Sequence, residues 1–388
     1  MIKKYYNLRR RIALWTTAQK PSLVHRLSTG KVRALFVMTG LMGDTIMSIP
    51  AVLAFRDNYP DSEITVLATS KSQELLSMVP AIDHFIVFDH SPFPLSPKKA
   101  RKVKQLGREI KWRRFDVAIV LLGDDFVPML TRIGIPIRVG VKENIFEPLL
   151  THSYAIGSPR TWGPEERLGS VIALGINPAP ATWTYSLRDV LLKIPDYWID
   201  VARVNMKLVN SGGFGPDTPF VVLHPFGRKK HQWMPPGMVV ALVHQVQQKL
   251  GLKPLIVGDS MEQASDLLGL IQPNTPHLIG NLSVPELAQI MRRSKLVIST
   301  DSGPMHLAGA LGVPTIGVFR SNRLEHANRY PSVKAICTQD LFIFCRSLKI
   351  RNYETGCDWD RCKTWPCKQL KAIKVEEIIN EVARMIEQ

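Results

Sequence analysis

The sequence predicts an α/β protein built from two doubly wound parallel halves. Three observations carry this. Short β-branched and aromatic runs alternate with helix-length segments of 3.6-residue apolar period. Those runs are continuously apolar rather than alternating, as strands covered by helices on both faces are. The pattern also restarts after the stretch Gly212-Gly213-Phe214-Gly215-Pro216-Asp217, in a chain of 388 residues. Single cores stop growing at roughly 250–300 residues, so two domains are expected.

In the first half, VRALFVM (32–38) is a buried strand that ends in the small-residue loop Thr39-Gly40-Leu41-Met42-Gly43-Asp44. TIMSIPAVLAFRDNYP then reads as a helix and SEITVLAT as a second strand, which completes a βαβ unit. HFIVFD (84–89) and FDVAIVLLG (115–123) are two more strands, and the basic segment 98–114 between them is the expected outward-facing crossover helix. In the second half FVVLH (220–224), KPLIVG (253–258), KLVIST (295–300) and PTIGVF (314–319) are strands. GMVVALVHQVQQKL (237–250), LSVPELAQIMRRS (282–294) and the C-terminal VEEIINEVARMIEQ are helices. Ser283 and Glu286 have the spacing of a capping box. The expected divisions are a basic arm over 1–30, a first domain over 31–190, a linker over 191–217, a second domain over 218–340, and a Cys-containing segment with a helix over 341–388. Two such domains are expected to face each other across a cleft, with ligands at the carboxyl ends of the strands.

Charge is concentrated rather than spread. Against 33 acids the chain has 50 bases, a formal +17. Residues 1–33, which include Lys3, Lys4, Arg9, Arg10 and Arg11, carry +9 with no acid. Residues 98–114, which include Lys98, Lys99 and Arg101, carry +8 with the single acid Glu109. The two stretches hold the whole excess. They point to an anionic partner, either a membrane surface or an acidic acceptor. Nucleic acid is not expected, because no helix-turn-helix, zinc-finger or RNP-like pattern accompanies the bases. No run of 18 apolar residues is present, so no membrane-spanning helix is predicted. The start lacks the apolar core and cleavage site of a secretory signal, so a cytosolic location is expected.

The segment Ser299-Thr300-Asp301-Ser302-Gly303-Pro304-Met305-His306 joins a strand to a small-residue helix. Free amides and the positive end of the helix dipole make that junction suited to an anion. Gly258-Asp259-Ser260-Met261-Glu262 follows a neighbouring strand, and Glu262 could accept hydrogen bonds from a ribose diol. His224-Pro225-Phe226-Gly227-Arg228-Lys229-Lys230-His231-Gln232-Trp233 follows another and supplies bases for phosphates. Together the three loops describe a nucleotide-diphosphate site. On the other half Asp44 stands at the end of the first strand. It has two readings, a general base for a hydroxyl or the N-cap of the helix that follows.

Several blocks carry a family resemblance. TGLMGDTIMSIPAVLAFRDNYPDSEITVLA, HPFGRKKHQWMPPGM, IVGDSMEQ, LIGNLSVPELAQIMRRSKLVISTDSGPMHLAGALGVPTIGVF and the Ala-Leu-Gly-Ile stretch at 173–176 occur in order over roughly residues 32–320. They resemble glycosyltransferase family 9, the ADP-heptose:lipopolysaccharide heptosyltransferases. The resemblance implies a GT-B fold of two Rossmann-like domains, with donor bound by the C-terminal one and acceptor by the N-terminal one. It implies an inverting transfer of heptose from ADP-heptose to a lipopolysaccharide core acceptor, a lipid-linked saccharide, with no metal or other cofactor required. Asp44 would be the general base. Asp301, Ser302, Gly303 and His306 would form the donor loop, and Glu262 the ribose contact. The family places Lys two residues before the Trp; here that position is His231, with Lys230 one further back. Either Lys230 reaches the phosphates or His231 takes part of that task, which leaves open another nucleotide sugar or another glycan acceptor. The enzyme would work from the cytosol at the inner face of the cytoplasmic membrane.

Cys337 lies in an apolar run and is expected to be buried, while Cys345, Cys357, Cys362 and Cys367 cluster late. Four cysteines invite a zinc reading, which their x4 and x11 spacings support only in part; the alternative is a structural thiol cluster, so the four stand as metal candidates and no metal site is assigned. Two other classes compete with the transferase. A Rossmann oxidoreductase is disfavoured because TGLMGD is not G-x-G-x-x-G with an acid about 20 residues on. A non-catalytic basic module would leave Asp44 and the DSGPMH block without purpose.

Overall fold

A computed structural model describes residues 31–93, 96–155, 164–176, 200–271, 274–320, 330–337 and 365–387. The expected arm with Lys3, Lys4, Arg9, Arg10 and Arg11, and Cys345, Cys357 and Cys362, lie outside the described residues. The chain divides into two compact units, Met1–Tyr185 and Ser186–Gln388.

The first unit runs β1 (Arg33–Met38), α1 (Met42–Asn58), β2 (Glu63–Ala68), α2 (Ser70–Leu76), β3 (His84–Val87), α3 (Pro97–Arg113), β4 (Val117–Leu122), α4 (Val127–Ile133), β5 (Ile137–Val141), β6 (His152–Tyr154) and α5 (Pro164–Ile172). Its strands form one sheet in the order β3-β2-β1-β4-β5-β6, and every pairing is parallel. That is the doubly wound order, with its switch point between β1 and β4. Leu35 and Val37 on β1 and Ala118 and Val120 on β4 are fully buried, and Leu106 and Ile110 of α3 pack with them. The basic segment is therefore the crossover helix that its position between two strands implies. It starts at the N-cap Ser96 and ends at Arg114, whose φ of 52° is left-handed.

The second unit runs α6 (Val201–Gly212), β7 (Phe220–His224), α7 (Pro236–Leu250), β8 (Lys253–Gly258), α8 (Met261–Leu268), β9 (His277–Ile279), α9 (Val284–Arg293), β10 (Leu296–Thr300), α10 (Gly303–Ala310), β11 (Thr315–Phe319), β12 (Val333–Cys337), α11 (Lys368–Lys371) and α12 (Val375–Glu387). Its sheet is again fully parallel, in the order β12-β11-β10-β7-β8-β9. Both units thus have the same doubly wound topology, and the chain is a pair of Rossmann-like domains. Ile378, Ile379 and Val382 of α12 are buried in one core with Val239, Leu242 and Val246 of α7. The C-terminal helix is therefore part of this domain. Cys367 is buried in the same core, whereas Cys337 is only half-buried because β12 is an edge strand.

The expected linker over 191–217 is corrected. Its residues 201–212 are the helix α6, capped by Asp200 and held on the second unit. Lys207 Nζ lies 2.8 Å from Glu286 Oε1, and Arg203 Nε lies 3.2 Å from the same oxygen. Glu286 closes the capping box with Ser283. Burial opposes its charge, but hydrogen bonds from Lys207 and from Ser283 outweigh it and hold the carboxyl below its ordinary range. An amphipathic helix with a partner at its face is not a tether. Replacing Glu286 by Ala strips Lys207 of its counter-ion in a site with little water. Glu286→Ala should destabilise the second unit by about 3 kcal/mol, and Ser283→Ala by about 1 kcal/mol. Chemical denaturation checks both, and equal costs would contradict the ion-pair account.

Candidate functional site

Three neighbouring strands, β10, β7 and β8, end on one side of the second sheet, at its switch point. Their loops contain the predicted donor residues. At the end of β10, Ser302 is the N-cap of α10, with extended φ and ψ of −157° and 169°. Gly303 opens the helix and Pro304 is its second residue, so proline's missing N–H costs no hydrogen bond there. Met305 and His306 amides both donate to the Ser302 carbonyl. Asp301, Ser302 and Gly303 are half-exposed, while His306 is buried, with Nδ1 3.2 Å from the Tyr330 hydroxyl.

The ends of β10 and β7 are tied side chain to backbone. Thr300 Oγ1 donates to the Phe226 carbonyl at 2.7 Å. The ring of His224, the last residue of β7, places Nδ1 3.3 Å from the hydroxyl oxygens of both Ser299 and Ser302. Burial pushes the His224 pKa down from 6.5 to about 4, although the Asp259 charge works the other way. His224 is therefore a neutral imidazole near pH 7, positioned behind Ser302. Glu262 stands exposed in the first turn of α8, at the end of β8.

The lysine expectation divides. Lys230 Nζ pairs with Asp266 Oδ2 at 2.7 Å and lies 6.0 Å and 5.7 Å from the ring centres of Trp233 and Trp365. It lines a pocket with Pro225, Met234 and Leu267. His231 is buried at 7% exposure. Lys230 is thus oriented toward α8 and the aromatic pair. Arg228, on the same loop, is exposed. Arg320, which follows β11, is 4% exposed and sits at the strand end beside β10. Arg228 is one of the bases that the sequence places in this loop, whereas Arg320 was not singled out. Arg320 was missed because the apolar run ends one residue before it.

In the first unit Asp44 is the third residue of α1, half-exposed, and the N-cap is Leu41. This rules out the N-cap reading of Asp44. An acid in the first turn still complements the helix dipole. The loop before it is fixed by the Thr39 amide, which donates to the Leu122 carbonyl at 3.1 Å across the β1–β4 switch point. Gly123, just past β4, has a φ of 112°, and a Cβ there would run into Thr39 Oγ1. Beyond it Asp124 and Asp125 form a short 3-10 turn that the sequence reading overlooked. Burial raises the Asp124 carboxyl above its ordinary range, against the pull of Arg167 and a hydrogen bond with Asn144. Burial also raises Asp125, and Ser91 Oγ donates to it at 3.2 Å. A signal was available: two adjacent acids ending a buried strand. Lys98, Lys99 and Arg101 lie on the exposed part of α3. Among the described residues no group of three His, Cys, Asp or Glu side chains could hold a metal ion.

A protonated His224 would be charged inside the core, so the unfolded chain binds more protons between pH 6.5 and about 4. Stability should fall as pH drops through that window, by up to about 1.4 kcal/mol per pH unit from this residue. His224→Gln should flatten that part of the stability–pH curve. Parallel curves for the two proteins would contradict the assignment.

The sequence profile of glycosyltransferase family 9 (heptosyltransferase) matches residues 243–341. Lipopolysaccharide heptosyltransferase 3 of Escherichia coli is 22% identical over 288 residues, covering 71% of this chain and 80% of that protein. Lipopolysaccharide core heptosyltransferase OpsX of Haemophilus influenzae is 23% identical over 317 residues, covering 79% and 80%. Among solved structures, a family 9 glycosyl transferase from Veillonella parvula superposes with a TM-score of 0.69 at 19% identity, covering 92% of this chain and 97% of that one. The ADP-heptose lipopolysaccharide heptosyltransferase II of Escherichia coli superposes at 0.68 and 17% identity, covering 92% and 99%. These likenesses show the GT-B fold.

Proposed function

We propose that the chain is a member of glycosyltransferase family 9 and that it moves a heptose from ADP-heptose to a lipopolysaccharide core acceptor with inversion, a reading supported by the family profile over residues 243–341 and by relatives 22–23% identical. The observation that carries the reading is the junction at β10, where Asp301 to His306 place a helix N-terminus beside the β7 and β8 loops. A diphosphate meets donor amides and the positive helix end there, and Glu262 at the end of β8 is the partner for a ribose diol. In this reading Asp44 takes the proton from the acceptor hydroxyl. The oxygen then attacks the anomeric carbon from the face opposite the diphosphate, the bond from that carbon to the phosphate oxygen breaks, and ADP leaves with its electron pair. Charge growing on the leaving group is met by the helix amides and by cations of the β7 loop. The reading requires no metal, and a chelator should leave turnover unchanged. It assigns the work to the cytosolic face of the membrane, where a lipid-linked acceptor is reached.

A second reading makes Asp124 the base. The observation in its favour is a carboxyl that burial raises, at the end of β4 next to β1. The two are separated by paired variants. Asp44→Asn should lower kcat by about 10³-fold while calorimetric binding of ADP is unchanged. Asp124→Asn should act mainly on the KM for the acceptor. Loss of kcat in Asp124→Asn with normal turnover in Asp44→Asn would reverse the assignment. The donor itself is identified by which nucleotide sugar raises the melting temperature, because ligand that binds only the native state stabilises it.

A further inference from the structure

We infer that the outward face of α3 docks the first unit on an anionic lipid bilayer through its bases and Trp112. Only Leu106 and Ile110 of this 17-residue helix are buried. At about 100° per residue, Arg101, Arg108 and Trp112 fall within about 40° of one another on the side opposite that buried pair, with Lys104 and Lys111 next to them along one edge. All five are exposed, and Trp112 is 81% exposed. Glu109 is the one acid of the helix, and it pairs with Arg113 at 3.3 Å. The outward bases therefore have no counter-charge on their own helix.

Local helix energetics disfavour this arrangement. Lys98 and Lys99 occupy the first turn, which has no acid and carries the positive end of the dipole. Lys98 with Lys102, and Lys104 with Arg108, are like charges at i,i+4 spacing, which destabilises an isolated helix. A plane of negative charge relieves both. Trp112 settles which plane. An indole set among bases on a convex face suits the headgroup layer of a bilayer, where its apolar body and N–H are both satisfied. Single-stranded nucleic acid is held on a series of aromatic platforms, and this face offers one ring. No described helix is long and apolar enough to cross a membrane. The contact is therefore a surface contact, driven mainly by charge and sensitive to salt.

Charge and exposure carry this inference independently of the transfer reading. The test uses the full chain and co-sedimentation with phosphatidylcholine vesicles, with and without phosphatidylglycerol. Binding should require the anionic lipid and weaken with salt. Each neutralised base near the surface should lower the partition coefficient by roughly fivefold, so the combined Arg101→Gln, Lys104→Gln, Arg108→Gln and Lys111→Gln variant should lose at least about 100-fold. Trp112→Ser alone should lose severalfold. Both variants should bind ADP as the parent does, and a failure there would concern the donor site instead. Vesicle binding equal to the parent in both variants would overturn the inference. Loss of oligonucleotide binding with vesicle binding intact would overturn it in favour of nucleic acid.

Discussion

The hydrogen bond from Thr300 Oγ1 to the Phe226 carbonyl, 2.7 Å long and buried, holds together the part of the molecule that the proposed donor site depends on. It joins the ends of β10 and β7, the two central strands where the chain changes its direction of winding. Backbone pairing alone brings these strands side by side as far as Ser299 and His224. Beyond that point the chains diverge into loops, and side chains must hold them. Thr300 and the Ser299–His224–Ser302 cluster do so, which fixes Ser302 at the head of α10 and sets the direction of the helix dipole. A neutral imidazole suits this role, since a charged one in the same buried place would oppose folding.

The first unit ties the corresponding strand ends through Thr39, whose hydroxyl as well as amide donates to the Leu122 carbonyl. At this switch point Gly123 lets β4 pass without a side chain in the way. Asp44 then stands in the first turn of one helix and Asp124 in the turn that follows the neighbouring strand. Two sheets of identical strand order thus present different chemistry: helix amides and the exposed Glu262 in one, carboxyls in the other. A division of labour between donor and acceptor needs such a difference.

Much of this could be read from the sequence where residues act locally. FVVLH and KPLIVG are strands over the residues their apolar runs span, and Ser283 and Glu286 make the capping box their spacing implies. Strands β5 and β6 were not legible, because Arg138 and Gly140 interrupt one and the other has three residues. Nor could helix α6 be separated from a linker, since what holds it is Glu286, distant in sequence. The direction of Lys230 was equally hidden. It depends on Asp266 and Trp365, brought together only by the fold. The charge excess could be located by counting, but its meaning could not. Exposure of Trp112 among the bases of α3 turns a count into a surface.

The β10, β7 and β8 strand ends of the second unit are proposed to bind a nucleoside diphosphate through the α10 amides and Glu262. Calorimetric titration with ADP, for the parent and for Glu262→Ala, tests it most directly. The account predicts saturable binding of one ADP per chain, weakened about tenfold or more when Glu262 is truncated. Absence of ADP binding, or equal affinity in the two proteins, would contradict it.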